Sequence, residues 1–159
     1  MSRASNVNRS KFHEKMVQRL CVEKLPELGK SLFPTIREFL SFAALLGYSE
    51  GRKIQLDRDD GVEDIAGAQY EHHEAIEILW AIAIAELTSS DILREGNEAD
   101  CAEIYEEYAN GGMTMVSEWL EAAPDQPADR AIFAGLKNAG YLIQEQDENL
   151  DDAISSIEF

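Results

Sequence analysis

Positive charge is what this sequence has least of. Its 159 residues carry 14 Lys+Arg against 31 Asp+Glu, a formal net charge of −17. The sequence pI is about 4.4. So acidic a surface is repelled by phosphate, which excludes generic nucleic-acid coating and docking on anionic membranes. Cysteine is scarce as well. Cys21 and Cys101 stand far apart, outside any CxxC pair, and read as reduced, buried thiols of a cytosolic protein. Long apolar runs are missing. The longest, Ile78 to Ala85, falls well short of the roughly 18 residues a membrane span requires. The N-terminal MSRASNVNRSKF lacks the apolar core of a signal peptide and reads as a frayed tail. There is no repeat at a solenoid period. These features predict a soluble, cytoplasmic protein without a membrane contact.

What is present is unevenly distributed. Residues 1–53 hold 10 Lys+Arg and 5 Asp+Glu, a net of +5; residues 54–159 hold 4 and 26, a net of −22. A mildly basic front therefore precedes a strongly acidic body. The apolar fraction of 45% is normal for a globular chain, and the length suits one domain. The expected organisation is a flexible tail over residues 1–8, one helical domain over 9–146 and an acidic tail over 147–159.

Periodicity predicts an all-α fold. It reads as a compact bundle of about five to six helices around a central apolar helix, with at most one small β element. The first helix is expected from Arg9 to Leu25, with Phe12, Met16, Val17 and Leu20 on its inner side. The second is expected to start near Pro34, with a stripe through Ile36, Phe39, Leu40, Ala43 and Leu46, and Gly47 and Gly51 bracketing its stop. Residues 52–68 read as a loop in which Ile54 and Leu56 could form a short strand. The third helix, Tyr70 to Leu87, is apolar at 11 of the 13 positions from Ala75 onward and is expected at the centre. Asp91 is a possible cap for the short ILREG turn. The fourth runs from Ala99 to Ala123. Adjacent glycines cost about 2 kcal/mol in a helix interior, so Gly111-Gly112 predicts a break with Asn110-Gly111 as its corner. The fifth runs from Ala128 to Gln146, with Ile132, Leu136, Ala139 and Ile143 inward. The remaining acidic stretch is either a frayed extension or a partner-binding tail.

Catalytic signatures are as scarce as cations. Glycine-rich phosphate loops, a GxSxG elbow and HExxH are absent. The DRDDGVEDI stretch fails as a calcium loop, because Gly61 stands where a fifth-position ligand is needed and Asp60 where glycine is needed. His72 and His73 lack the Glu-x-x-His spacing of di-iron bundles; they and Glu74 read as a solvated first turn, with His73–Glu77 as a surface pair. No catalytic, cofactor-binding or metal-ligating residue is assigned. Interaction chemistry is left. Arg37, Arg52 and Lys53 surround the second helix and its exit. Arg52 and Lys53 either pair with the acidic body or contact phosphate or an acidic partner.

Two motifs fit a known pattern. In residues 33–53, FPTIREFLSFAALLGYSEGRK, they are Phe33, Phe42, Ala43-Ala44, Gly47 and Gly51-Arg52. In residues 106–116, EEYANGGMTMV, it is the glycine segment. With IEILWAIAIAEL and SDILRE between them, they resemble a small bacterial family, the DNA phosphorothioation-associated protein 4 family, linked to dnd modification–restriction clusters. The resemblance covers residues 10–122 and leaves 124–159 outside. It implies association with defence against foreign DNA and carries no catalytic residue over. The expectation is a non-enzymatic accessory or regulatory component without cofactor, contacting other proteins of a defence gene cluster. The candidate interaction residues are Arg37, Arg52, Lys53, Tyr108, Asn110, Gly111 and Gly112. A homo-oligomer and a local DNA contact are compatible with this. The alternatives are an acidic DNA mimic, a small DNA-binding or sensing module using the basic front, and a carboxylate-based metal hydrolase.

Overall fold

The computed structural model describes residues 4–72, 75–88, 91, 94 and 96–142. Among them the order is β1 (Val7–Ser10), α1 (Glu14–Cys21), α2 (Ile36–Glu50), β2 (Val62–Ile65), α3 (Gly67–His72), α4 (Ile76–Leu87), α5 (Glu98–Ala122) and α6 (Ala128–Asn138), with short 3-10 turns at Lys11–His13 and Arg58–Asp60. The chain is a mostly helical bundle with one small antiparallel ribbon, as the periodicity predicts. No helix of the described residues is long and apolar enough to cross a membrane.

Local signals explain most boundaries. The Thr35 hydroxyl accepts from the Glu38 N–H at 3.1 Å and contacts the Glu38 carboxylate at 3.2 Å. This side-chain N-cap starts α2 one residue after Thr35, so Pro34 precedes the cap rather than opening the helix. Gly51, at φ +67°, ends α2 in the left-handed region. Gly47 lies inside the helix and does not stop it.

The core is built on α2 and α5, the most extensive helix pair in the fold. The predicted break at Gly111-Gly112 does not occur, because α5 runs unbroken through both glycines. Their function is close approach. A Cβ on Gly112 would stand 1.8 Å from the Ala43 carbonyl oxygen, and one on Gly111 2.0 Å from that of Arg52. From the other side, a Cβ on Gly47 would stand 2.0 Å from the Tyr108 carbonyl oxygen. Burying two helix backbones against each other offsets the helix-propensity cost of the glycines. Beside this seam, the buried hydroxyls of Ser41, Tyr105 and Tyr70 form a chain at 2.9 and 3.0 Å.

This arrangement moves the centre of the bundle. α5 packs against α2, α4, α6 and β1, and α4 lies to one side of it. α4 buries Ile76, Leu79, Ile82 and Ala83 and leaves Leu87 exposed. Its nearly all-apolar composition therefore reflects a partly open face rather than a central position.

The N-terminal segment departs furthest from its expectation. Val7 and Asn8, placed in a tail by the sequence reading, belong to β1, and Val7 is fully buried. β1 pairs with β2 in the register Val7↔Ile65 to Ser10↔Val62. The strand thus lies at 62–65, and Ile54 and Leu56 form none. The predicted helix from Arg9 is replaced up to His13 by strand and 3-10 turn. The tighter turn changes the phase, so Phe12 is 74% exposed while His13 is 5% exposed. At the other end, α6 stops at Asn138 and leaves Ala139 exposed. Ile143, the acidic tail, the His73–Glu77 pair and most of the ILREG turn lie outside the described residues.

The glycine seam gives a direct test. In a free helix, Gly→Ala stabilises by about 1 kcal/mol. Gly112→Ala is expected to lower stability by at least about 2 kcal/mol in urea denaturation, because backbone atoms must move to admit the methyl group. A neutral or stabilising result would refute the close contact.

Candidate functional site

The structure divides the seven candidate residues into two groups. Tyr108, Asn110, Gly111 and Gly112 are buried on α5, and the two glycines are packing surfaces rather than a corner. Arg52 and Lys53 are partly exposed just past the end of α2. Arg37 sits near the start of α2, about 20 Å from them along a helix rising about 1.5 Å per residue. The three cations therefore do not converge.

Arg52 and Lys53 turn inward to the acidic body. The Arg52 guanidinium meets the Glu118 carboxylate at 3.1 Å. Lys53 Nζ reaches Glu86 at 3.0 Å and Glu107 at 4.0 Å, and stands 5.7 Å from the centre of the Tyr108 ring. The Tyr108 hydroxyl donates to Glu86. That hydrogen bond, with the one from Lys53, holds the Glu86 carboxyl below its usual range. Burial and the Glu86 carboxylate push the Tyr108 hydroxyl up to about 12. Tyr48 meets Tyr108 edge-on at 5.4 Å. The cluster ties α2, α4 and α5 together where the basic front meets the acidic body.

Asn110 clips the following loop in place. Its Nδ2 donates to the carbonyls of Ile54 at 3.3 Å and Gln55 at 3.4 Å. Its Oδ1 is buried and makes no hydrogen bond of ordinary geometry among the described residues. Burial lowers the pKa of the adjacent His13, and the Asn110 carboxamide opposes that shift.

Two surfaces escaped the sequence reading. The first is an acidic cleft of about 290 Å³ between the 55–59 segment and α5, lined by Asp57, Asp59, Glu103, Glu106 and Glu107 together with Arg58. Its sequence signal was available, since Glu103, Glu106 and Glu107 recur at spacings of three and four that share a helix face. Asp57 here caps the 3-10 turn, accepting from the Asp59 N–H at 2.9 Å. Glu106 is only 3% exposed and accepts the Asn8 N–H at 2.7 Å, fastening β1 to α5. Burial raises its carboxyl to about 7, against the lowering effect of that hydrogen bond. The second surface is an apolar groove of about 400 Å³ between α2 and α4, with Arg37, Phe42, Leu45, Ala75 and Ile78 in its lining. Periodicity adds Phe42 and Leu45 to the apolar stripe of α2 and places Ala75 and Ile78 in an apolar helix, because it does not say where a packing partner ends; Arg37 is one of the candidate interaction residues.

Nucleophile and metal chemistry gain little from the geometry. Both cysteines are buried and outside any disulfide, and burial raises both thiols, Cys21 to about 12. A protonated thiol is a weak nucleophile. Among the described residues, no three His, Cys, Asp or Glu side chains are grouped to hold a metal ion.

The raised Glu106 carboxyl has a pH consequence. Its folded pKa of about 7 exceeds the ordinary value of 4.5, so the unfolded chain gives up this proton first as pH rises. Its contribution is complete below pH 4.5 and is lost as pH climbs through 7. Glu106→Gln keeps an acceptor for Asn8 and removes the ionisation. Between pH 5 and 8 the unsubstituted protein is expected to lose up to about 3 kcal/mol more stability than the variant in chemical denaturation. Identical slopes would show that Glu106 ionises normally.

No curated protein and no solved structure matches the chain. The profile of one family does, that of DNA sulphur modification system-associated protein 4, over residues 6–153. The match extends well beyond the residues 10–122 that carried the resemblance. It takes in both β1 and most of the acidic C-terminal stretch, which the sequence reading had left outside the family. The chain belongs to the DNA sulphur modification system-associated protein 4 family.

Proposed function

We propose that the protein is a non-enzymatic accessory or regulatory component of a restriction system linked to DNA sulphur modification, and that it works through protein–protein contacts. Family membership associates the chain with such a system. The observation that supports the finer reading is the pairing of the cations at the exit of α2. Arg52 and Lys53, two of the three candidate cations, are paired with Glu118, Glu86 and Glu107. A DNA contact through them would have to break those pairs and bring phosphate beside carboxylates. Among the described residues the open surfaces include an acidic cleft and an apolar groove. Charge and apolar area of this kind suit recognition of another protein better than recognition of a phosphate backbone.

The reading predicts that the tagged protein, expressed with the other proteins of its modification–restriction cluster, co-purifies with at least one of them. It also predicts no retention of duplex DNA at about 50 mM salt, where electrostatic binding is strong. A protein that elutes alone, and whose deletion leaves restriction unchanged, would overturn it. Salt-dependent DNA binding lost on Arg52→Ala with Lys53→Ala would favour the DNA-contact alternative instead.

A further inference from the structure

Open apolar area and unpaired positive charge meet along α1. Phe12, in the turn that leads into this helix, is the most exposed large apolar side chain among the described residues. Lys15 and Lys24 are exposed as well. Neither forms an ion pair among the described residues, in contrast to Arg52 and Lys53 at the exit of α2. Arg19 follows Lys15 by four residues on the same helix face. Its guanidinium donates to the Gln126 carbonyl at 3.4 Å and so bridges α1 to the turn between α5 and α6.

Arg19 divides a furrow beside α1 into two hollows. The first, about 320 Å³, lies between Phe12, Lys15 and Met16 on one side and Leu120 and Glu121 of α5 on the other. The second, about 340 Å³, lies between Lys24 and Pro26 on one side and Pro127 and Ala128 on the other, with Glu23 in its lining. Three cations, Lys15, Arg19 and Lys24, therefore border the furrow, interrupted by two carboxylates, Glu23 and Glu121. The surrounding segment has the same sign. Residues 1–30 hold 7 Lys+Arg and 3 Asp+Glu, a net of +4, whereas residues 31–159 hold 7 and 28, a net of −21.

We propose that the furrow along α1 is the docking surface for an acidic segment of another protein that also carries apolar side chains. Lys15, Arg19 and Lys24 meet its carboxylates, and Phe12 packs against its apolar residues. Lys15 and Arg19 lie about 6 Å apart along the helix axis, the interval at which a helix with carboxylates four residues apart presents them. Charge at the rim orients the encounter, while an exposed aromatic side chain supplies the contact area that holds it. Glu23 and Glu121 favour such a segment over a phosphate backbone. An unbroken row of phosphates would meet both carboxylates, whereas a peptide can set a neutral or basic side chain opposite each. The inference rests on the accessory reading and deepens it, by naming one surface through which the protein–protein contacts are made.

The test uses the full chain, tagged and co-expressed with the other proteins of its modification–restriction cluster. A carbodiimide, which joins amines to carboxylates without a spacer, is applied to the purified complex, and the linked peptides are read by mass spectrometry. Lys15 or Lys24 is expected to be joined to Asp or Glu of a cluster protein. Lys15→Glu with Lys24→Glu should lower retention of that protein at least about tenfold, and Phe12→Ala at least about fivefold, with the urea midpoint and circular dichroism unchanged. Lys137→Glu, which reverses an exposed cation of α6 outside the furrow, should leave retention intact. Retention that survives the furrow substitutions, or falls equally with Lys137→Glu, would overturn the proposal and leave the accessory reading standing. So would a complex in which neither Lys15 nor Lys24 is linked to the partner. A chain that retains no cluster protein would remove both. Linkage of Lys15 or Lys24 to an isotope-labelled second copy would make this chain its own occupant and overturn the proposal. Binding of an oligonucleotide that the same substitutions abolish would replace it with a DNA contact.

Discussion

Two helix backbones meet in this protein at a separation that no side chain larger than hydrogen permits. Gly47 faces the Tyr108 carbonyl, Gly112 that of Ala43 and Gly111 that of Arg52. Everything else is arranged about that line. α5 runs unbroken through its paired glycines, and its partner fills the space a side chain would need. Since α5 is central, α4, α6 and the ribbon pack on its remaining sides. The exit of α2 is delivered against α5, which brings Arg52 and Lys53 within reach of Glu118, Glu107 and, across the gap, Glu86.

The electrostatics follow from the same placement. The chain begins basic and continues acidic, and the fold brings the two parts together where α2 ends. Lys53 lies between two carboxylates and beside the Tyr108 ring, so a single cation serves three helices. The pairs are partly exposed, and each is worth little alone. They also occupy two of the cations that could otherwise have met phosphate. Glu106 shows the opposite situation. It is buried beside further carboxylates and held by one backbone N–H, so its charge is costly and its proton is retained toward neutral pH.

Family membership associates the chain with a DNA sulphur modification system. An acidic cleft and an apolar groove are open among the described residues, on different sides of α2 and α5. Either is a suitable surface for a protein partner.

Much of this was legible in the residues themselves. Helix periodicity gave the fold class, Gly51 the end of α2, and the composition the contrast between basic front and acidic body. The motifs around Phe33–Lys53 and Glu106–Val116 pointed to the family. Each of these is encoded locally, in the spacing of apolar side chains or in the backbone freedom of one glycine. What the residues did not disclose depended on partners distant in sequence. Gly111-Gly112 read as a break because the cost of glycine is local, while the packing that offsets it comes from α2. Phe12 read as buried because the pairing of β1 with β2, which resets the helix phase, joins residues 7–10 to 62–65. The apolar run of α4 read as central because composition reports how much surface prefers burial, not which neighbours are there to bury it. The sequence by itself determined the helices, their charge and the family. Only the tertiary structure decided that α5 is the axis, that Arg52 and Lys53 meet carboxylates of α4 and α5, and that, among the described residues, a groove lies between α2 and α4. Those outcomes depend on which surfaces meet, and that is settled by the approach of whole backbones.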